Sequence, residues 1–375
     1  MNNLSFALDL FGEHSVEAPK TEGIKYAGSK LKLLPYILSL AAETGAKTVL
    51  DGFAGTTRVG QAFAKSGYQV TSSDISYWSE IFGKCYLKGG QKAKYHKLIE
   101  HLNNVKPIDG WFTSTYGGEV GGEAVGKKPW QIHNTMKLDG IREEIDKLGL
   151  DDVTKSVALA SLIQALDRVD STMGHFTSYL KDWSPRSYNH LLMRVPEIEN
   201  FNKMHEIFRG DIFETLPCIE TDLAYLDPPY GSNNEKMPPS RVRYASYYHV
   251  WTTVILNDQP DTFGAAARRS DSRDGVAASI FEEFRKDDDG DFIAVKAIGK
   301  LISEVQSRFV ILSYSSGGRA TAENLGDAIG SVGKIIKVKE IDYKRNVMAG
   351  MRWTNEWIRD AEDKNLEFLF LIDKG

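Results

Sequence analysis

Cysteine is nearly absent: Cys85 and Cys218 are the only two in 375 residues, far apart and without neighbouring metal ligands. Their scarcity excludes a disulfide-stapled secreted domain and a thiolate metal site, and predicts reduced core thiols in a cytoplasmic protein. Also missing is any run of about 18 apolar residues, so no membrane-spanning helix and no membrane partner are expected. The first residues, Met1 to Gly12, lack the basic start and apolar stretch of a signal peptide. Basic excess is lacking too. With 46 Lys and Arg against 51 Asp and Glu the net charge is -5, so any surface for a polyanion must be a local patch on an acidic body. What remains is ordinary for a globular chain, with 42% hydrophobic and 26% charged residues.

Residues 1–22 show no sustained period and read as a loose arm. From Lys47 onward strands alternate with helices. Thr48-Val49-Leu50 ends at Asp51 and is followed by Gly52-Phe53-Ala54-Gly55 and a helical stretch through Phe63, and Tyr68-Gln69-Val70 leads to Asp74. Late strands are expected at 222–226, 308–314, 334–341 and 366–372, the last two as an antiparallel pair at one edge. This alternation predicts an α/β fold with a Rossmann-like, doubly wound sheet. Two insertions interrupt it. Residues 88–206 include five glycines between Gly117 and Gly126 and a helix from Val153 to about Val169, with Leu159, Leu162, Ile163 and Leu166 on one face; they read as a mostly helical inserted domain. Residues 231–291 contain Arg268-Arg269 and an acidic turn, Asp287-Asp288-Asp289. The sheet domain is then 23–87 plus 207–375.

Asp227-Pro228-Pro229-Tyr230 follows the strand Leu223-Ala224-Tyr225-Leu226. A carboxylate at a strand end lies in the crevice where open α/β sheets bind ligands, and consecutive prolines make rigid backbone with outward carbonyls. Asp227 and the Pro228 carbonyl supply two acceptors and Tyr230 an aromatic plate. Such a grip suits a planar aromatic amino group, whose nitrogen lone pair is freed when both hydrogens are held. The plain alternative is a Pro-rich turn closing a strand.

The turn Asp51 to Thr57 (Asp51, Gly52, Phe53, Ala54, Gly55, Thr56, Thr57) lets backbone approach a ligand. Asp74, with Ile75 beside it, stands 19 residues beyond Gly55, a spacing that suits a carboxylate gripping ribose hydroxyls. A nicotinamide dinucleotide site shares this pattern. Thr57, however, stands where the phosphate-binding form has its last glycine, which favours a nucleoside without pyrophosphate. Upstream, Tyr26-Ala27-Gly28-Ser29-Lys30 precedes an apolar helix. Ser29 is the expected N-cap, and Lys30, a cation against the helix dipole, is expected to face a ligand carboxylate. Asp211-Ile212-Phe213 reads as a strand end flanking an adenine, or otherwise as core. Between Lys84 and Ile99 are five lysines (Lys84, Lys88, Lys92, Lys94, Lys97) and no acid, a candidate polyanion patch or a plain solvated face.

Assembled in this order, these segments resemble the alpha-group, Dam-like family of DNA adenine-N6 methyltransferases, over about 26–74 and from about 207 onward. Ser171-Thr172-Met173-Gly174, Tyr179-Leu180-Lys181, Tyr244 to Thr253, Leu312 to Ser316 and Tyr343-Lys344-Arg345 extend the likeness. The resemblance implies S-adenosylmethionine as cofactor, with no metal, held by Tyr26, Ala27, Gly28, Lys30, Asp51, Phe53, Ala54, Gly55, Thr56, Thr57, Asp74, Ile75, Asp211, Ile212, Phe213 and Asp227. It implies that Asp227, Pro228, Pro229 and Tyr230 hold a flipped adenine of double-stranded DNA. Residues 88–206 would carry target recognition, and Lys88, Lys92, Lys94, Lys181, Arg186, Tyr248, His249, Arg268 and Arg269 are the candidate DNA contacts. A cognate restriction endonuclease, encoded separately, is a possible partner. Alternatives left open are an RNA or protein-amide methyltransferase of the same fold, a nicotinamide-dependent oxidoreductase and a non-catalytic DNA-binding module.

Overall fold

The computed structural model describes residues 6–8, 14–119, 128–230, 243–273, 276–283, 285–318, 320, 322–342 and 366–375. Tyr343-Lys344-Arg345, most of the glycine-rich stretch and the start of the second insertion lie outside the described residues. A seven-stranded sheet organises the chain. Its strands are β1 (Thr48–Asp51), β2 (Gln69–Asp74), β3 (Glu206–Arg209), β4 (Leu223–Leu226), β5 (Phe309–Ser315), β6 (Lys334–Asp342) and β7 (Leu366–Asp373). Their spatial order is β6-β7-β5-β4-β1-β2-β3. The pairs along β5-β4-β1-β2-β3 are parallel, whereas β7 is antiparallel to both its neighbours. The expected late antiparallel pair is therefore present, with β7 threaded between β5 and β6.

Helices cover both faces because the strand side chains alternate. Val49, Leu223, Tyr225, Ile311, Leu369 and Leu371 point to one core, which α1 (Leu34–Thr44) and α2 (Arg58–Lys65) cover. Leu50, Ala224, Leu226, Val310, Leu312, Phe370 and Ile372 point to the other. That second core is closed by α7 (Ile293–Glu304) and α8 (Ala322–Gly330). A period of two with both sets apolar is the signature of a sheet buried on both faces.

Between α2 and α7 come α3 (Tyr77–Lys88), α4 (Ile132–Lys147), α5 (Asp152–Arg168) and α6 (His249–Leu256). The helix expected from Val153 is α5, capped by Asp151, whose carboxylate accepts from the Thr154 amide. Ser156 to Leu166 are all buried, so the expected single apolar face is in fact a helix enclosed all round. It packs on α3 through Trp78, Ile81, Phe82 and Tyr86, and the same core takes in Tyr248, Val250, Trp251, Val254 and Ala266. The two stretches read as separate insertions thus share one helical core.

Two local expectations are corrected. Residues 1–22 are not simply a loose arm: Phe6–Leu8 pairs with His14–Val16, Val16 is buried, and the Glu22 carboxylate accepts from Tyr86 Oη (3.2 Å) and the Glu197 amide (2.9 Å). These partners are remote in sequence, so local periodicity does not reveal them. Ser29 is not an N-cap. A 3₁₀ turn, Leu31–Leu33, intervenes, and α1 starts at Leu34 with Pro35 in its first turn, where a missing amide hydrogen costs nothing.

Candidate functional site

The strand order reverses between β1 and β4, and open α/β sheets bind ligands at that switch point. Asp51 ends β1 and Asp227 directly follows β4; the two strands are paired, with Asp51 opposite Tyr225, and the Gly52 amide donates to the Tyr225 carbonyl at 3.0 Å. Asp74 ends β2 beside them. Three carboxylates therefore share one crevice, and Asp74 and Asp227 each add to the cost of ionising Asp51. Burial is the larger cause, opposed by the Gly60 amide, and Asp51 is pushed up to about 7. Its Oδ2 accepts from Gly60 (2.8 Å), while its buried Oδ1 has no partner among the described residues. Asp74 is raised by burial as well, against the donors of Ser76 and Gly55; its Oδ2 accepts from the Gly55 amide and its Oδ1 from the Ser76 amide, both at 2.8 Å.

The turn after β1 is built for close approach. Gly55 has φ +52°, and a Cβ there would lie 3.2 Å from the Tyr26 ring. Thr57, at φ 58°, is fully buried and precedes α2. Its backbone occupies the left-handed region that a glycine takes at no cost, so the departure from glycine leaves the shape of the turn intact.

Lys30 is the centre of the polar network. Only 6% exposed, its Nζ lies 3.1 Å from Asp227 Oδ1 and 3.7 Å from Glu367 Oε2, and donates to Tyr230 Oη at 3.0 Å. Tyr230 Oη donates in turn to Glu367 Oε1 at 3.1 Å. Burial opposes the Lys30 charge, but Asp227, Tyr230 and Glu367 outweigh it and hold the ammonium well above the ordinary lysine range. Burial likewise raises Asp227, Lys30 opposes and Glu367 adds to the rise, and the result is about 6. The Tyr230 ring leans on Tyr314 of β5, with centroids 5.0 Å apart.

Aromatic rings brace the segment before α1. Tyr26 stacks on Tyr248 (4.5 Å, 18°) and Tyr244 (5.4 Å, 26°). The Ala27 amide donates to Tyr248 Oη at 2.6 Å. Gly28, at φ +75°, stands where a Cβ would come within 2.8 Å of Tyr244 Oη. Tyr248, expected as a DNA contact, is thus fully buried and fixes this turn instead.

Across the crevice, Asp211 is not a strand end but caps a short helix, Ile212–Thr215, accepting from the Phe213 amide; the backbone turns because the side chain supplies the first acceptor. Ile212 is buried under the sheet. Phe213 stacks on Phe281 (5.8 Å, 17°), and Phe281 meets Phe53 edge-on at 5.4 Å. Ile75 is 68% exposed beside Asp74, an apolar side chain open to a ligand's ring. Glu367 and Phe281 escaped the reading of the sequence. Glu367 had a signal, a carboxylate inside the apolar run Leu366 to Ile372; Phe281 had none.

Most of the expected DNA contacts are used elsewhere. Arg269 is 4% exposed and forms paired hydrogen bonds with Asp258 and Asp271. Arg268 donates to the Ser272 carbonyl at 2.8 Å and to Ser246. Arg186 donates to Asp170 and to the Thr172 carbonyl. His249 is buried, with Nε2 against the Phe176 carbonyl at 3.1 Å, and burial pushes it down to about 3; it serves the helical core. Lys88 ends α3, which starts beside Asp74 and runs back about 18 Å. It therefore reaches the opposite edge of the sheet, where its charge falls on His205, the acceptor of the Val70 amide. Lys84 pairs with Glu80 and Asp152, and Lys92 with Glu197. Lys94 lies over the Tyr95 ring. Lys181 is exposed. The periodicity of the sequence cannot tell a cation paired inside the fold from one offered to a phosphate. Arg269→Ala is accordingly expected to lower unfolding free energy by about 2 kcal/mol, read by urea denaturation. Because both carboxylates keep access to water, the cost stays below that of a fully enclosed pair. If the resemblance holds and the chain binds DNA, the salt dependence of that binding should keep its slope; a slope reduced by about one would instead assign Arg269 to a phosphate.

Residues 26–294 match the sequence profile of the D12 class N6 adenine-specific DNA methyltransferases. Among individual proteins, the chain is 29% identical over 344 residues to modification methylase StsI from Streptococcus sanguinis, covering 86% of this chain and 48% of that protein. It is 25% identical over 371 residues to type II methyltransferase M.FokI from Planomicrobium okeanokoites, covering 94% and 53%. Over 332 residues it is 24% identical to type II methyltransferase M.NlaIII from Neisseria lactamica, covering 86% and 92%. The chain thus spans about half the length of the first two relatives and most of the third.

Proposed function

Because the chain belongs to the D12 class N6 adenine-specific DNA methyltransferase family, we propose that it methylates N6 of a flipped adenine at a specific site in double-stranded DNA, as an alpha-group, Dam-like enzyme. The observation that carries this reading is the meeting of Asp227 and Tyr230 with Asp51 and Asp74 in one crevice at the switch point. Names of relatives as modification methylases support a restriction–modification or phage or bacterial DNA-modification setting, with a cognate endonuclease encoded separately. Residues 88–206 are proposed as the target-recognition domain.

The residues present fit S-adenosylmethionine. The unpartnered Oδ1 of Asp51 is an acceptor for an ammonium, Asp74 for ribose hydroxyls, and Ile75, Phe53 and Phe213 are apolar walls for a purine. Tyr26, Ala27, Gly28, Lys30, Gly55, Thr56, Thr57 and Asp211 complete the proposed set. Bound there, S-adenosylmethionine would supply an electrophilic methyl group on a sulfonium. Asp227 and the Pro228 carbonyl accept the two N6 hydrogens, Pro229 stiffens the turn, and Tyr230 offers its ring to the base. Unpairing and unstacking the adenine costs about a few kcal/mol, which contacts to the phosphates and the vacated duplex must offset. Once the nitrogen gains a methyl group it must shed one proton, and the Asp227 carboxylate is its nearest base.

That role sets a pH dependence. Asp227 at about 6 is ionised at neutral pH, so kcat should be level above that value and fall about tenfold per pH unit below it. A rate that stays level down to pH 4.5 would remove Asp227 from the step. The reading itself is tested by offering tritium-labelled donor to DNA, RNA and protein in parallel. Label in N6-methyladenine of DNA is expected; label in RNA or protein amides alone would transfer the assignment to those substrates.

A further inference from the structure

The last strand brings a fourth carboxylate to the crevice. Strands β1, β2 and β4 deliver Asp51, Asp74 and Asp227 at their C-terminal ends. β7 is antiparallel to β5, so it is the start of β7, not its end, that lies at this edge. Glu367 is its second residue and sits opposite Ser315, the last residue of β5. The position lies beyond residues 26–294, the span matched by the family profile.

Resting on the adenine reading above, the geometry points to Glu367 as a positioning residue for methyl transfer, which holds the Tyr230 hydroxyl and shares the Lys30 ammonium so that Lys30 does not claim Asp227 alone. The arrangement is a closed relay: Lys30 Nζ to Tyr230 Oη at 3.0 Å, Tyr230 Oη to Glu367 Oε1 at 3.1 Å, and Lys30 Nζ between Asp227 Oδ1 at 3.1 Å and Glu367 Oε2 at 3.7 Å. Lys30 is 6% exposed, and the Asp227 and Glu367 side chains are 16% and 12% exposed. In so little water a lone Lys30–Asp227 pair would be tight, and a carboxylate committed to an ammonium is a poorer acceptor for an amino hydrogen. A second carboxylate on the far side of Lys30 divides that attraction. The bond to Tyr230 Oη also fixes the rotation of the ring offered to the base, and Tyr314 backs the ring from the sheet.

The charged and titratable groups facing Asp227 are Lys30 from the segment before α1, Glu367 from β7, Asp51 from β1, Tyr244 from the second insertion, and Tyr225 and Tyr230 from its own segment. Glu367→Gln removes one negative charge from this set while keeping an acceptor for Tyr230. The full-length variant is expected to show kcat lowered about tenfold, the scale of one charge-assisted hydrogen bond, with KM for DNA changed less than about twofold. The acid limb of kcat should move to lower pH, because ionisation of Asp227 is no longer opposed by Glu367. Glu367→Asp, which restores the charge, should return the limb toward its wild-type position. An acid limb unmoved in Glu367→Gln overturns the assignment whatever happens to the rate, since a merely structural glutamate would lower the folded fraction and leave the limb in place. Wild-type protein that transfers no methyl group to DNA refutes the adenine reading itself, and this role with it.

Discussion

Asp227→Ala is expected to lower the rate of methyl transfer by about 10³-fold or more, measured as single-turnover incorporation into DNA at pH 7.5. In the proposed reading the carboxylate is both the acceptor that orients N6 and the base nearest to the proton released, so its loss removes an interaction made most strongly at the transition state. Donor binding should survive in part, with the dissociation constant raised by less than about tenfold, because Asp51, Asp74 and the Gly55 turn are untouched. Asp227→Asn separates the two duties. It keeps a carbonyl acceptor and loses the charge, and should fall between wild type and alanine. Methylation by the alanine variant at near wild-type rate would sink the assignment of Asp227.

Lys30→Met is expected to destabilise the fold as well as the reaction. It leaves Asp227 and Glu367, both largely enclosed, without their cation, and breaking a buried pair from one side costs about 3 kcal/mol. The sign of its pH dependence follows from the partners. The pKa of Lys30 is raised in the folded state, so the stability it contributes is fully present below the ordinary lysine value and does not itself change on the acid side. Asp227 is already raised to about 6 with Lys30 beside it and rises further without it. The loss should therefore be full at pH 8 and shrink as pH falls through that range, when Asp227 takes up a proton and its charge vanishes. Urea denaturation at pH 8 and pH 5.5 reads this directly. An unchanged midpoint at pH 8, or a larger loss at pH 5.5, contradicts the buried triad.

The fold was readable from the chain because strand and helix periods are local. Thr48 to Asp51, Leu223 to Leu226 and the two late strands lie within a residue or two of where hydrophobic pattern put them. So does α5. The crevice was readable for a related reason: Asp227-Pro228-Pro229-Tyr230 and Asp51 to Gly55 are contiguous, and a strand end delivers each to it. The surface was not. Arg186, Arg268, Arg269, Tyr248 and His249 looked available to DNA, yet each is held by a partner inside the fold, some nearby in the chain, as Ser272 is to Arg268, and some remote, as Ala27 is to Tyr248. Charge composition states how many cations there are, not which of them fold against a carboxylate.

By itself, then, the order of residues determined the sheet-and-helix alternation and the carboxylates at strand ends, both of which are written in short windows. Only the tertiary structure decided that Lys30 lies between Asp227 and Glu367, 197 and 337 positions away, and that the two insertions share one core. Strand direction is the reason. Reversing β7 carries the start of that strand to the edge where its neighbours finish, and no local pattern records which way a strand will run.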